Sequence, residues 1–146
     1  MISVLVTLGI AATVALISFL QWRTNQATLR EKLFERRFAI FKETQYFLTV
    51  ISQHGEISGQ LLEEFRDTAQ RSRFLFGSRV SQDLNQILLK GRRLALLQSR
   101  LSNHVTESAE WENAQDEIQL IGDFMDKKFL GVFDYFEKYM DFSKSI

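Results

Sequence analysis

The amino-terminal stretch constrains the fold of this chain most strongly. Residues 1–22 contain no charged side chain and no proline, and the first charge is Arg23. A helix of this length measures about 33 Å at about 1.5 Å per residue, enough to cross a hydrocarbon core about 30 Å thick. Eleven of these residues are Leu, Ile, Val or Phe, which favour insertion into a bilayer. We predict that residues 1–22 form a single transmembrane helix.

Two other interpretations of this segment fit the sequence less well. A cleaved signal peptide has basic residues before an apolar run of about 7–15 residues and a small-residue cleavage site after it. Here no Lys or Arg precedes the run, which ends in Phe19-Leu20-Gln21-Trp22-Arg23 with no such site. A buried helix of a soluble domain is the other interpretation, but 22 uncharged residues at one end are unusual for a domain this small.

The basic residues predict an orientation for this anchor. No Lys or Arg precedes the apolar run, and six come after it within about twenty positions: Arg23, Arg30, Lys32, Arg36, Arg37 and Lys42. The positive-inside rule then places the amino terminus outside and residues 23–146 in the cytoplasm, at a cell inner membrane. Trp22 and Arg23 are the expected interface residues. Anionic lipid headgroups are the expected contacts of four basic residues, Arg30, Lys32, Arg36 and Arg37.

Composition predicts the fold of the residues after the anchor. They suffice for one domain, and the absence of proline favours long uninterrupted helices. The absence of cysteine excludes disulfides, zinc–thiolate sites and thiol catalysis. We predict an all-α fold in which a single N-terminal transmembrane helix (1–22) precedes a cytoplasmic bundle of about four helices (23–146).

Apolar spacings of three and four residues place the helices of the bundle. The predicted helices run from about Arg23 to Gln53, Ser58 to Arg73, Ser81 to Asn103, and Ala109 to Phe142. Whether the first of them continues from the anchor is open. Gly55 is suited to end a helix, Ser58 to begin one, and Ser78 or Ser81 to begin the next. The cluster Arg73-Phe74-Leu75-Phe76-Gly77 is expected to fill one end of the core, or else to bind a partner.

Charge is unevenly distributed along the chain. Residues 23–100 contain fourteen basic and eight acidic side chains, whereas residues 101–146 contain four and ten. One interpretation is that the acidic last helix packs beside the basic earlier ones. The other is a basic surface that faces anionic lipid.

The last helix is rich in aromatic residues near its end. Some of them lie off the stripe Trp111, Ala114, Ile118, Ile121, Met125, Phe129, Val132 and Phe136, to which Leu120, Phe124, Phe133 and Met140 add a second row. The aromatic side chains are either enclosed by several helices or exposed as an apolar patch. The candidate partner-binding residues are Phe129, Phe133, Tyr135, Phe136 and Tyr139.

The sequence contains no pattern that indicates catalysis. It has no phosphate-binding glycine loop, no HExxH pair and no GxSxG turn. His54 and His104 lie near helix boundaries, and the acidic cluster at Glu63, Glu64 and Asp67 is typical of a solvated face. The third predicted helix is basic but lacks aromatic residues for stacking on bases, so nucleic-acid binding is not expected. We predict no catalytic residue, no metal site and no cofactor.

Two short apolar motifs carry a resemblance to known sequences. They are Lys32-Leu33-Phe34-Glu35-Arg36-Arg37-Phe38 and Arg73-Phe74-Leu75-Phe76-Gly77. Across most of residues 23–140 the chain resembles a group of short bacterial membrane-anchored helical proteins of no known activity. The resemblance implies a bacterial inner-membrane setting and supplies no catalytic residues.

These observations predict a non-enzymatic, membrane-anchored module or accessory subunit that binds another protein through its helical domain. The alternative is a small membrane effector that forms a pore or responds to envelope stress. Such an effector must assemble into a homo-oligomer, because one span cannot enclose a channel. Small residues at Gly9, Ala12, Thr13 and Ala15 would permit close helix pairing in the bilayer.

Overall fold

The computed structural model describes residues 2–103 and 109–140. They form four α-helices: α1 (Ile2–His54), α2 (Gly59–Phe76), α3 (Ser78–Asn103) and α4 (Ala109–Met140). No strand occurs in these residues, so the all-α prediction is confirmed. His104, Phe142 and most of the connector predicted at Ser102–Ser108 lie outside the described residues.

The sequence left open whether the first helix of the bundle continues from the anchor, and the bounds of α1 answer this question. α1 has no break between the apolar run and the amphipathic residues after it. The contacts nevertheless divide the chain into two compact units, Met1–Glu35 and Arg36–Ile146. A domain boundary after residue 22 stays a prediction.

The described part of the first unit is one helical segment with its apolar side chains exposed. From Val6 to Trp22 the exposed fractions of the large apolar side chains run from 48% to 63%. The Thr13 hydroxyl donates to the Gly9 carbonyl oxygen at 2.8 Å, so this polar group is satisfied within the helix. By length and composition α1 is the one helix in 2–103 and 109–140 that could cross a membrane, a test that a signal sequence also passes.

The core of the second unit draws on all four helices. Its buried side chains come from each helix, among them Ile40, Leu48, Phe65, Val80, Leu84, Leu97, Ile121, Met125 and Phe136, and the last three belong to the stripe predicted for α4. Leu120 and Phe133 were predicted to extend the stripe of α4, but both are exposed. Each lies one residue from a buried neighbour, Ile121 or Val132, and one residue rotates a side chain by about 100° around a helix.

The closest packing of α1 against α3 depends on a glycine. The Phe47 ring stacks on the Phe65 ring of α2 with centroids 4.0 Å apart. A Cβ atom on Gly91 of α3 would lie 2.9 Å from Cζ of Phe47. The aromatic pair therefore fits between the helices because residue 91 has no side chain.

A single residue, Gly77, forms the corner between α2 and α3. Its N–H donates to the Arg73 carbonyl at 3.2 Å, and its own carbonyl accepts from the Ser81 N–H at 3.4 Å. Its φ of 84° and ψ of −171° belong to a region that only glycine populates readily. The predicted helix bounds at Arg73 and Ser81 are wrong by three residues each, because α2 continues to Phe76 and Ser81 is buried inside α3. α3 begins at Ser78, the earlier of the two serines that the sequence offered.

The other predicted cap is correct. The Ser58 hydroxyl oxygen accepts a hydrogen bond from the Leu61 N–H at 3.1 Å and so caps α2. Gly55, just beyond the end of α1, has the left-handed φ of 67° that the sequence predicted for a helix-ending glycine.

Replacement of the corner glycine tests this geometry. Gly77→Ala is expected to lower the free energy of unfolding by about 1–3 kcal/mol, because a Cβ is strained in this backbone conformation. Chemical denaturation of the full chain in mild detergent, followed by circular dichroism, measures the change. Gly131→Ala is the matched control, because residue 131 is helical and an added Cβ meets no atom within 4 Å. The control should keep or gain stability by up to about 1 kcal/mol, and equal losses in both variants would contradict the role of Gly77.

Candidate functional site

Arg37 binds the carboxyl-terminal ends of two helices at once. Its Nε donates to the Leu75 carbonyl at 2.9 Å, and its Nη1 donates to the Tyr139 carbonyl at 2.8 Å. Both carbonyls lie in the last turns of α2 and α4, where positive charge is favourable. The guanidinium also lies 5.3 Å from the centre of the Phe76 ring. One side chain of α1 thereby joins the ends of α2 and α4.

The position of Arg37 differs from that of the other basic residues predicted to meet lipid. It is half-buried, whereas Arg30, Lys32 and Arg36 are exposed. Burial lowers the pKa of Arg37, although a guanidinium stays protonated at accessible pH. Arg37 precedes the buried Ile40 and Phe41 by three and four positions, so it shares their face of α1. That spacing was the available signal for the structural role that its two hydrogen bonds give Arg37.

Most of the aromatic side chains predicted to bind a partner are enclosed. Phe136 is 1% exposed and packs edge-on against Phe41 and Phe76, with centroids 5.7 and 5.4 Å away. Phe136 is thus a core residue with no surface to offer and drops out of the candidate set. Phe129, Tyr135 and Tyr139 are half-buried against the same core. The enclosed interpretation therefore describes most of this helix end.

Phe133 is the exception, and it belongs to a small exposed surface. It is 64% exposed, and Leu130, one turn earlier on α4, is 80% exposed. On α1 the exposed Phe38 ring lies 5.7 Å from Phe41, whose buried ring lies 6.1 Å from Phe133. We call Phe38, Leu130 and Phe133 the Phe133 patch. It is an apolar surface continuous with the core.

A cavity of about 400 Å³ lies between α1, α3 and α4. The Tyr135 hydroxyl donates to an Asp83 carboxylate oxygen within its lining. Burial and this hydrogen bond raise the pKa of Tyr135 well above its ordinary value. The remaining lining residues are mostly apolar, with two lysines among them: Thr44, Leu48, Leu84, Ile87, Phe124, Lys127, Lys128, Gly131, Val132 and Phe136.

The chemistry of this cavity is limited. A tyrosine held protonated beside a carboxylate is a hydrogen-bond donor rather than a base. Across 2–103 and 109–140 no three His, Cys, Asp or Glu side chains converge as metal ligands.

Ion pairs between helices show how some of the unevenly distributed charges are paired. Arg93 of α3 binds both carboxylate oxygens of Glu117 on α4, at 2.7 and 2.8 Å, and this bond lowers the pKa of Glu117. Between α1 and α2, Arg71 and the Thr68 hydroxyl of α2 both bond Glu43 of α1. At Arg93 the basic third helix does pair with the acidic fourth, as the first interpretation expected.

The predicted membrane-interface residues lie in the first unit. Trp22 and Arg23 are both exposed, and the Trp22 ring lies 6.1 Å from the Phe19 ring, one turn earlier on α1. An exposed ring and an exposed guanidinium at the end of an apolar run suit the boundary between hydrocarbon and headgroups. Their interface role stays a prediction.

Comparisons with known proteins add no second line of evidence. A scan against protein-family models finds no match, and searches of curated proteins and of solved structures find no significant match. The resemblance to short bacterial membrane proteins therefore stays a prediction. Function is inferred from the surfaces of the described residues.

Loss of the Arg37 bonds should destabilise the bundle. Arg37→Met keeps an apolar stem but leaves two helix-terminal carbonyls without their donor, which is expected to cost about 2 kcal/mol of unfolding free energy. Arg36→Met is the matched control and should change stability by less than about 0.5 kcal/mol, because Arg36 is exposed. Denaturation of the full chain in detergent compares the two, and equal losses would contradict the proposed role of Arg37.

The hydrogen bond between Tyr135 and Asp83 predicts that the free energy of unfolding depends on pH. The pKa of Tyr135 in the folded chain is raised above its ordinary value of 10.0. The protonated hydroxyl therefore adds its full contribution to the free energy of unfolding below pH 10, and this contribution declines as the pH rises further. Tyr135→Phe should cost about 1 kcal/mol at pH 7. The stability difference between wild type and Tyr135→Phe should then shrink above pH 10. Denaturation at a series of pH values measures it, and a constant difference up to about pH 11 would contradict the assignment.

Proposed function

We propose that the chain is a non-enzymatic, membrane-anchored interaction module whose helical domain binds another protein. The observation that carries the proposal is the Phe133 patch, an exposed apolar surface on a domain that the sequence tethers to a bilayer. Separate features of the chain support its membrane part and its binding part.

The exposed apolar side chains of residues 6–22 support the membrane part. Each large apolar side chain left in water forfeits about 1.5–3 kcal/mol relative to an apolar surrounding. Nine of them are exposed in this segment: Val6, Leu8, Ile10, Val14, Leu16, Ile17, Phe19, Leu20 and Trp22. A bilayer provides that surrounding without a dedicated partner. The inner-membrane orientation, with the bundle in the cytoplasm, is proposed from the positive-inside rule.

The distribution of aromatic residues in the bundle supports the binding part. The core is large enough to bury several aromatic rings: Phe41, Phe47, Phe65 and Phe136. Leu130 and Phe133 are nevertheless exposed, and the Phe133 ring lies 6.1 Å from the buried Phe41 ring. Exposed aromatic and aliphatic side chains next to a packed core are typical anchor residues of protein interfaces. We propose that the partner covers this patch.

Three exposed basic residues support a contact with lipid headgroups. Arg30 and Lys32 in the first unit and Arg36 in the second form no ion pair within 2–103 and 109–140. They are available to phosphate groups of anionic lipid, each of which attracts a nearby cation. We propose that these three residues contact headgroups and that Arg37 does not.

Crosslinking in cells tests the binding part of the proposal. The full chain and the variant Leu130→Ser/Phe133→Ser are expressed in bacterial cells, crosslinked and recovered from detergent-solubilised membranes. The variant should lose at least about tenfold of the crosslinked partner, because both exposed anchor side chains are removed. Leu120→Ser is the control, since Leu120 is a similarly exposed leucine elsewhere on α4.

The outcomes separate the two classes of function. Equal partner recovery with all three chains would remove the Phe133 patch from the proposal. Recovery of crosslinked copies of this chain alone, with no other protein, would contradict an accessory module and favour the oligomerising membrane effector. Recovery of the full chain in a detergent-free high-speed supernatant would contradict the anchor.

A further inference from the structure

The cavity between α1, α3 and α4 lies within the second unit and has a buried floor. Six of its lining side chains are at most 6% exposed: Thr44, Leu48, Leu84, Ile87, Val132 and Phe136. Five of these side chains are apolar, and the Thr44 hydroxyl donates to the Ile40 carbonyl at 2.8 Å within α1. These six residues therefore form an apolar floor with no unsatisfied side-chain polar group.

A glycine on α4 leaves one side of this cavity open. Gly131 lines the cavity, and a Cβ atom added there would meet no heavy atom within 4 Å. Gly91 differs, because a Cβ at that position would lie 2.9 Å from the Phe47 ring. A glycine inside a helix costs about 1 kcal/mol relative to alanine, and packing within the chain does not require one at residue 131. The missing side chain at Gly131 adds to the volume of the cavity.

Two lysines of α4 lie at the rim of the cavity. Lys127 is exposed, and Lys128 is half-buried with its Nζ 5.5 Å from the centre of the Phe124 ring. Neither lysine forms an ion pair in the part of the chain that the structure describes. Asp83 is the one acidic residue among the described residues of the lining, and its carboxylate accepts the hydrogen bond from Tyr135. The lining thus carries two positive charges against one negative charge.

We propose that this cavity binds a single-chain amphipathic anion of the fatty-acid type, with its apolar chain on the buried floor and its carboxylate at Lys127 and Lys128. The volume of about 400 Å³ lies in the lower part of the range of about 300–1,000 Å³ for small-molecule sites. It suits one apolar chain rather than the two chains of a phospholipid. No residue of the Phe133 patch lines the cavity, so this inference goes beyond the proposed protein binding and does not depend on it.

The charge of the rim selects the anion over other amphiphiles. A neutral or a cationic molecule with the same apolar chain would fit the floor equally well. At the rim, a hydrogen bond from an ammonium to a carboxylate contributes more than one to a neutral group. A cationic head would be repelled by both lysines, and the Asp83 carboxylate already accepts the Tyr135 hydroxyl. The charge of the head group is therefore the property to vary in a test.

Photolabelling of the full chain tests the site. The chain is reconstituted in phosphatidylcholine nanodiscs and irradiated with dodecanoate that carries a diazirine at its apolar end, at about pH 8, where the carboxyl group is ionised. Mass spectrometry locates the label. Labelling of the buried Leu84 and Ile87 should exceed that of Leu89 at least about threefold, although Leu89 on the same helix is 63% exposed. Unmodified dodecanoate should compete at least about tenfold better than methyl dodecanoate or dodecylamine.

A variant that fills the cavity tests the floor. Gly131→Leu places a side chain in the cavity and should reduce the labelling of Leu84 and Ile87 at least about fivefold. Gly122→Leu is the matched control, because Gly122 also lies inside α4, an added Cβ there also meets no atom within 4 Å, and the residue does not line the cavity. The control should label as the wild type does, and circular dichroism checks that both variants are folded.

A double substitution tests the rim. Lys127→Gln/Lys128→Gln should weaken competition by dodecanoate about tenfold and leave competition by methyl dodecanoate unchanged. Lys90→Gln/Lys138→Gln is the control, because these two lysines are exposed on α3 and α4 and do not line the cavity. The control should leave both competitions unchanged.

Three results would overturn the proposal. Equal labelling of the floor in Gly131→Leu and Gly122→Leu would show that the cavity is not the site. Equal competition by dodecanoate, its methyl ester and dodecylamine, or equal effects of the two lysine pairs, would show that the rim does not select an anion. Label confined to exposed side chains and residues 6–22 would show that the probe only dissolves in the bilayer.

Discussion

The bonds of Arg37 are the interaction on which the bundle end depends. A helix ends with carbonyl oxygens that lack partners, and α2 and α4 both end beside the same stretch of α1. One guanidinium reaches a carbonyl of each helix because its donors diverge, which a lysine ammonium on a flexible stem would not reproduce. With those ends joined, Phe76 packs against Phe136, the corner at Gly77 is fixed, and Phe74 is directed outward.

α1 combines two kinds of surface in one uninterrupted helix. Its large apolar residues from Val6 to Trp22 are exposed, whereas from Ile40 to Ile51 one face is buried in the second unit. The two parts of this helix thus differ in their side chains and not in their backbone. The proposed function rests on this division, because we propose that lipid surrounds the uncharged apolar part, whereas the amphipathic part packs against protein.

Much of the fold was predictable because it depends on local patterns. Apolar spacing identified core positions of α4, and local chemistry identified the Ser58 cap and the glycine after α1. The exposure of Phe74 and Phe133 was not predictable, because it depends on which helix lies beside each face. The bond between Tyr135 and Asp83 joins residues 52 positions apart, and no local pattern indicates such a pair. The candidate site was thus predicted only in part: the aromatic helix end was identified, but its division into core and surface was not.

Accessibility along α1 tests the central claim most directly. A nitroxide is placed at each position from 6 to 51 of the full chain in liposomes, and its collisions with oxygen and with a water-soluble nickel complex are measured by electron paramagnetic resonance. A lipid-surrounded helix predicts high oxygen and low nickel accessibility without periodicity from 6 to 22. From 36 to 51, packing against the bundle predicts an oscillation with a period of about 3.6 residues. Nickel accessibility throughout residues 6–22, or an oscillation with that same helical period there, would contradict a lipid-surrounded helix.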